Sequence, residues 1–226
     1  MATAPIRSDG IGVIVEGYMD VIAAHQHGYG NVVASMGTAL TDQQVGQLKL
    51  LASEFVLALD PDAAGQEATI NSLATSWNAL EDQVALRTRR SVGILYRRNV
   101  PTLKIAALPS DRDPDDLIRH DSTAWVRLME DATPLMDFCI ETILPRFGLE
   151  DPGGKAQAAQ FMKPLLLSRD PVEQDHYLQK IAVRLGVSID SLKASMGDLR
   201  RKRTRGVAST RIESDEEASG SILVSN

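Results

Sequence analysis

The sequence of 226 residues is poor in several residue types, and each shortage excludes a class of protein. Its single cysteine, Cys139, excludes an intramolecular disulfide and any metal site built from cysteines. No apolar run approaches the roughly 20 residues of a membrane span, and the N-terminus lacks a signal-peptide pattern. The net charge of −6 gives no general electrostatic reason to bind nucleic acid. We therefore expect a cytoplasmic globular protein without membrane contact.

Strand and helix patterns alternate along the first half of the sequence. Helical patterns occupy 19–28, 41–52 and about 62–90, and short apolar runs predict strands at 11–17, 31–35, 54–60 and 102–108. Such alternation indicates a parallel sheet with right-handed crossovers. The runs are almost continuously apolar, as expected for strands that are covered on both faces. We predict an α/β fold, with a mainly parallel sheet of about four strands flanked by helices.

After Pro109 the strand patterns stop. The following segments have helical apolar spacing and are separated by proline, glycine or aspartate. The last residues are rich in serine and glutamate and carry few large apolar side chains, which is typical of disorder. The predicted organisation is therefore an α/β domain at 1–110, an all-helical subdomain at 111–205 and a disordered tail at 206–226.

Acidic residues follow three of the predicted strands. They are Glu16 and Asp20 after the first strand, Asp60 and Asp62 after the third, and Asp111, Asp113, Asp115 and Asp116 after the fourth. The carboxyl ends of parallel strands meet at one edge of a sheet, so we expect these side chains to converge. Converging carboxylates raise one another's pKa unless a cation compensates them. Oxygen ligands of this kind suit Mg²⁺ or Mn²⁺.

Helix capping is an alternative explanation for both Asp-Pro-Asp motifs, at 60–62 and 113–115. Aspartate is favoured at the N-cap and proline in the first turn of a helix, so capping is the favoured interpretation at 113–115. At 60–62 the motif ends a strongly apolar strand and precedes two alanines and Gly65, which would let a phosphate approach. Glu16 ends a buried strand and has no capping explanation.

A basic segment between residues 83 and 110 contains no acidic residue. Its arginines are either a solvated helix face or a nucleic-acid surface, for which Arg87, Arg89 and Arg90 are the candidates. A second basic cluster at 200–205 leads into the acidic tail.

Three stretches together resemble the Toprim domain of bacterial replicative DNA primases. They read VIVEGYMDVIAAHQHGYGNVVASMGTALT, LALDPDAAGQEAT and DRDPDDLIRH. The segment RDPVEQDHYLQKIAVRLGVSIDSLKASM is also similar to the end of the helical subdomain in the primase catalytic core. The generic Toprim signature, a glutamate after one strand and Asp-x-Asp after another, is shared with topoisomerases, recombination-mediator proteins and some nucleases. The extended motifs are closer to primases.

The resemblance implies a Toprim fold, which is Rossmann-like, and the synthesis of short RNA primers by nucleotidyl transfer. It implies a site that holds Mg²⁺ or Mn²⁺, with Glu16, Asp60 and Asp62 as the principal catalytic metal ligands. It further implies Asp20, Asp113 and Asp115 as additional metal ligands, and Gly17, Gly37 and Gly65 as turn positions that let backbone approach the site. The chain departs from the usual family pattern at Pro61, where glycine is common, and at Gln66, where a basic residue is common.

The implied partners are single-stranded DNA template, ribonucleoside triphosphates and the RNA primer, in the replisome. The chain lacks the N-terminal module that would hold zinc and the C-terminal domain that would bind the replicative helicase, so we expect a fragment with little activity alone. Two other classes stay open. One is another Toprim phosphotransferase or nuclease acting on DNA, and the other is a non-catalytic replisome interaction module.

Overall fold

The computed structural model of the chain describes residues 1–35, 42–59, 70, 101–167 and 169–197. Within these ranges the strands are β1 Ile11–Val15, β2 Val32–Ala34, β3 Glu54–Leu59, β4 Thr102–Ala107 and β5 Thr133–Pro134. The helices of the first part are α1 Thr3–Asp9, α2 Tyr18–Gln26, α3 Asp42–Leu48, α4 Pro114–His120 and α5 Ser122–Glu130. Those of the second part are α6 Leu135–Phe138, α7 Pro152–Leu167, α8 Pro171–Leu185 and α9 Ile189–Met196.

The described strands form one sheet in the order β2-β1-β3-β4-β5. The first four pair in parallel, with Ile14 opposite Leu57 between β1 and β3, and Leu59 opposite Ala107 between β3 and β4. The predicted parallel α/β sheet is confirmed. The two-residue β5 was not predicted and pairs antiparallel with β4. A strand this short that includes Pro134 leaves no recognisable apolar run in the sequence.

Both faces of the sheet are buried, as the continuous apolar runs predicted. Along β1, Val13 and Val15 belong to one apolar cluster, whereas Ile14 between them belongs to the other. This alternation follows from the two-residue period of a strand, which sends neighbouring side chains to opposite faces. The cluster around Val13 packs under α2, α4 and α5. The cluster around Ile14 includes residues of α3 and of all the helices after β5.

The predicted helices after Pro109 are present within the described residues. The segment PLMDFCIETILPRF has helical apolar spacing in the sequence, but the structure divides it into α6, a π-helical turn at Cys139–Ile143 and a 3₁₀ turn at Leu144–Phe147. Pro145 explains part of this break, because proline has no N–H to donate within a regular helix. The Asp170 carboxylate caps α8, and Gly186 ends it with φ +62°.

The helices α4 and α5 lie against the sheet, although the sequence analysis assigned them to the helical subdomain. Leu117 and Ile118 of α4 and Trp125 of α5 are buried in the same cluster as Val13 and Val15. Where the chain divides, at residue 110 or elsewhere, stays a prediction. None of the helices that the structure describes combines the length and the apolar character needed to cross a membrane.

Candidate metal-binding site

The candidate site lies at the carboxyl ends of the parallel strands. The last residue of β1 is Val15, so Glu16 follows it directly, with an exposed side chain. The neighbouring strand β3 ends at Leu59, immediately before Asp60 in the sequence. Because β1 and β3 are parallel neighbours, both chain segments leave the sheet at the same edge. This arrangement is the one that the sequence predicted for Glu16.

Many of the predicted site residues lie outside the described part of the chain. They are Gly37, Asp60, Asp62 and Gly65 among the site residues, and Arg87, Arg89 and Arg90 among the candidates for nucleic-acid binding. The departures from the family pattern at Pro61 and Gln66 lie there too. Their predicted roles therefore stay predictions.

Asp20 lies in the first turn of α2, and its two carboxylate oxygens accept hydrogen bonds from two separate backbone groups. The N–H of Gly17, the N-cap residue of the same helix, donates to Oδ2 at 3.1 Å. The N–H of Asp115 donates to Oδ1 at 3.3 Å, across 95 residues of sequence. The Asp20 side chain therefore joins the beginning of α2 to the beginning of α4.

The acidic residues after β4 make local contacts at the start of α4. Asp113 is the N-cap, and its Oδ1 accepts the N–H of Asp116 at 2.7 Å. The carboxylate of Asp115 lies 2.6 Å from Nε of Arg119, and that of Asp116 lies 3.6 Å from Nε of Arg112. The capping interpretation of the second Asp-Pro-Asp motif is thus correct for Asp113. Arg119 was not singled out from the sequence, although its spacing of four residues from Asp115 is typical of a helical ion pair.

The described residues alone do not complete a metal site. Among them, no three histidine, cysteine or acidic side chains lie close enough together to hold an ion. The donor chemistry nevertheless fits a hard cation, because Glu16 offers an exposed carboxylate at the edge where the chain continues into Asp60. The positive side chains of Arg112 and Arg119 offset part of the negative charge after β4.

A second surface feature is an open groove of about 560 Å³ between the π-helical turn and α8. It is lined by Ile140, Glu141, His176, Gln179, Lys180, Val183 and Arg184. Val183 is 83% exposed, so this surface offers an apolar contact among charged groups. The Nζ of Lys180 lies 2.8 Å from Oδ1 of Asp137, and this hydrogen bond raises the pKa of Lys180. Nε of Arg184 donates to the carbonyl of Ile140 and so joins the two sides of the groove.

Comparison with known families matches two parts of the chain. The model of the Toprim domain matches residues 11–88, which include β1, β2 and β3. The model of the DnaB-helicase binding domain of primase matches residues 136–190, which include the groove. A DNA primase of Clostridium acetobutylicum is 35% identical over 176 residues, which cover 77% of this chain and 26% of that protein. The chain belongs to the bacterial DNA primase family.

The fold agrees with that of primase catalytic cores. The primase catalytic core of E. coli superposes with a TM-score of 0.60 at 25% identity, covering 79% of this chain and 52% of that one. The RNA polymerase domain of Mycobacterium tuberculosis primase, solved in complex with double-stranded DNA, gives 0.55 at 27% identity and covers 83% and 55% of the two chains. This primase-family chain spans about a quarter of the length of the curated relatives that it matches, as the 26% coverage indicates.

The location of the helicase-binding match differs from the expectation drawn from the sequence. Helicase contact was expected in a further C-terminal domain, whereas the match lies within the chain at residues 136–190. These residues form α6, the π-helical and 3₁₀ turns, α7, α8 and the start of α9. The sequence analysis identified residues 169–196 as similar to a primase helical subdomain, but not as a helicase-binding region.

Proposed function

We propose that this chain is the metal-binding catalytic portion of a primase, which synthesises RNA primers on single-stranded DNA from ribonucleoside triphosphates. The observation that carries the proposal is the position of Glu16 at the end of β1, beside the strand that leads directly into Asp60. Membership of the primase family supports the same reaction. Because the net charge of the chain is −6, we propose that the template binds at a local basic surface. Arg87, Arg89 and Arg90 are the candidates for that surface.

Glu16, Asp60 and Asp62 would hold Mg²⁺, or Mn²⁺ in its place. When bound, such ions activate the attacking hydroxyl and stabilise the charge that develops on the transferred phosphate. The acidic side chains themselves act as ion holders and transfer no proton. The exposure of Glu16 leaves its carboxylate accessible to an ion and to a phosphate. The predicted direct ligand roles of Asp113 and Asp115 remain part of this proposal, beside the capping and ion-pair contacts described above.

The test is a titration of the chain with Mn²⁺, in the wild type and in Glu16→Gln and Asp60→Asn. Each substitution removes one ligand charge, so we expect metal affinity to fall by at least about 10-fold. Glu54→Gln is the matched control, because Glu54 lies at the opposite end of β3 and pairs with Lys104 at 2.8 Å. Unchanged affinity in both site variants would reject the proposal.

The same variants separate primer synthesis from nuclease activity. Because little activity is expected of the chain alone, it replaces the corresponding segment of a full-length primase, which is incubated with single-stranded DNA and Mn²⁺, once with labelled ribonucleotides and once without them. Template-dependent incorporation that depends on Glu16 supports the primase, whereas DNA cleavage without ribonucleotides supports the other class of Toprim enzyme. If neither activity occurs but partners still bind, the interaction-module alternative is supported.

We also propose that the groove between the π-helical turn and α8 contacts the replicative helicase. The helicase-binding match over residues 136–190 favours this surface, because it contains every residue that lines the groove. Val183 offers an exposed apolar contact there, and Glu141, Lys180 and Arg184 offer charged groups around it. This mixture is typical of a non-obligate interface, in which apolar contacts are surrounded by polar ones.

Val183→Asp tests the groove, and Val172→Asp is its matched control. Both valines lie on α8 and are about equally exposed, at 83% and 80%, but Val172 lies outside the groove. We expect Val183→Asp to weaken binding of purified helicase by about 10-fold or more and Val172→Asp to leave it unchanged, as measured by biolayer interferometry. Equal affinity in the two variants would reject the groove as the contact.

A further inference from the structure

We infer that Asp20 is a positioning residue that ties the turn carrying Glu16 to the start of α4, where Asp113 and Asp115 lie. The inference rests on the proposed metal site and assigns Asp20 a role different from direct ion binding. Its basis is that each oxygen of the Asp20 carboxylate accepts a backbone N–H, one from Gly17 and one from Asp115. A single side chain thus holds together the segments that follow β1 and β4, which β3 separates in the sheet.

The first contact fixes the turn between β1 and α2. Gly17 lies directly after Glu16, so its N–H belongs to the peptide that links the two residues. A hydrogen bond of 3.1 Å to the Asp20 carboxylate fixes the orientation of that peptide. The carboxylate therefore restricts the backbone conformation at Glu16. Less conformational entropy is then lost when Glu16 binds an ion.

Gly17 is required here for space and not for an unusual backbone conformation. Its φ of −100° and ψ of 154° are accessible to any residue. A Cβ at this position, however, would lie 2.9 Å from Oδ2 of Asp20, which is too close for a carbon and an oxygen. Glycine thus lets the carboxylate sit against the turn. Gly17→Ala would displace the Asp20 carboxylate while leaving it chemically intact.

The second contact is long-range. The N–H of Asp115 belongs to the first turn of α4, and Asp113 is the N-cap of that helix. Its hydrogen bond of 3.3 Å to Asp20 therefore places the start of α4 beside the start of α2. The chain between Asp20 and Asp115 includes β2, β3 and β4. The contact therefore holds together the two helix starts that lie before and after these strands.

Amide hydrogen exchange measured by NMR on the metal-free chain tests the inference directly. In the wild type we expect slow exchange at the amides of Gly17 and Asp115, and in Asp20→Ala at least about 10-fold faster exchange at both. Gly17→Ala should speed exchange at Asp115 even though Asp20 is present. Asp20→Asn keeps one acceptor oxygen, so it should release only one of the two amides. If Asp20→Ala leaves either amide unchanged, the inference is wrong.

A Mn²⁺ titration of the same variants separates positioning from ion binding. We expect Asp20→Ala to lower affinity about 10-fold, as loss of a residue that orients ligands does, and Glu16→Gln to lower it further. Asp170→Ala is the matched control, because Asp170 also accepts two backbone N–H groups, from Val172 and Glu173, at the start of α8. It should leave metal affinity unchanged.

Two outcomes distinguish the failure of this inference from the failure of the metal site. If Glu16→Gln and Asp60→Asn leave Mn²⁺ affinity unchanged, the proposed site is wrong, whatever the exchange rates show. If those variants lose the metal but Mg²⁺ speeds amide exchange at Gly17 and Asp115 in the wild type, the ion competes for the Asp20 oxygens. Asp20 is then a ligand, and the positioning role is rejected. Unchanged or slower exchange with Mg²⁺ supports it.

Discussion

Tyr29 and Trp125 pack edge to face, with ring centroids 6.3 Å apart and planes inclined by 62°. Trp125 lies on α5 and is only 1% exposed, whereas Tyr29 lies in the turn that leads from α2 to β2. The pair therefore attaches α5 to the outer part of the sheet. Trp125 is therefore a core residue, with too little exposed surface to stack on bases.

Removing the Trp125 ring should destabilise the protein strongly. We expect Trp125→Ala to lower the free energy of unfolding by about 3–5 kcal/mol, because the variant loses buried apolar area and leaves a cavity between α5 and the sheet. Urea denaturation followed by circular dichroism measures the change. Val126→Ala on the same helix is the control, since Val126 is 40% exposed, and it should change stability by less than about 1 kcal/mol. A loss below about 1 kcal/mol for Trp125→Ala would contradict this packing.

Gly154 allows the start of α7 to approach the turn before it. A Cβ on Gly154 would overlap the carbonyl oxygens of Phe147 and Gly148. Backbone atoms cannot rotate away as a side chain would, so we expect Gly154→Ala to lower the free energy of unfolding by about 1–3 kcal/mol. Thermal unfolding by calorimetry checks the change. Gln157→Ala, at an exposed position on the same helix, should have little effect; equal melting temperatures for the two variants would contradict the close approach.

Cys139 should make stability depend on pH above neutrality. Burial raises the pKa of its thiol to about 12 from an ordinary value of 9.0. The folded protein therefore keeps a proton that the unfolded chain loses, so the contribution of this group to stability is constant below pH 9 and falls as pH rises toward 12. The expected slope from this group is about 1.4 kcal/mol per pH unit.

Cys139→Ala isolates this effect, because every other titrating group is shared. The difference in unfolding free energy between wild type and variant should shrink from pH 9 to pH 11, measured by urea denaturation under reducing conditions. The native thiol should also resist alkylation by iodoacetamide at pH 8, since the thiolate is the nucleophile. Rapid alkylation without unfolding would show that the thiol is accessible.

Asp137 should control the titration of Lys180. Its carboxylate accepts a hydrogen bond from Lys180, which raises the pKa of the ammonium group. We expect Asp137→Asn to lower that pKa, as followed by NMR of the lysine side chain. The pair stabilises the fold below the ordinary pKa of lysine and ceases to do so as pH rises through the folded value. Both groups are partly exposed, so its contribution is at most about 1 kcal/mol. An unchanged Lys180 pKa in the variant would show that the contact is absent in solution.

The strands were predictable because burial on both faces leaves continuous apolar runs, as in β1 and β3. The break at Cys139–Ile143 was not, because the helical spacing of its apolar residues continues through the π-helical turn. The packing of α4 and α5 on the sheet was also not predicted from the sequence. A helix pattern identifies an apolar face, but not the partner that covers it.

At the candidate site, the sequence predicted Glu16 correctly as a strand-end carboxylate, because no cap or turn requires it. The hydrogen bond between Asp20 and Asp115 could not be predicted from the sequence. It joins residues 95 positions apart, and the contact depends on how the sheet brings α2 and α4 together. Spacing within the sequence identified the acidic residues but could not assign a partner to each oxygen.

The short β5 affects how the protein behaves at high concentration. An exposed sheet edge is a template on which another chain can add a strand, and this is a common route to aggregation. Pro134 pairs with Lys104 at the outer side of β4, and proline has no N–H to offer an incoming strand. A two-residue strand ending in proline therefore opposes growth of the sheet in that direction.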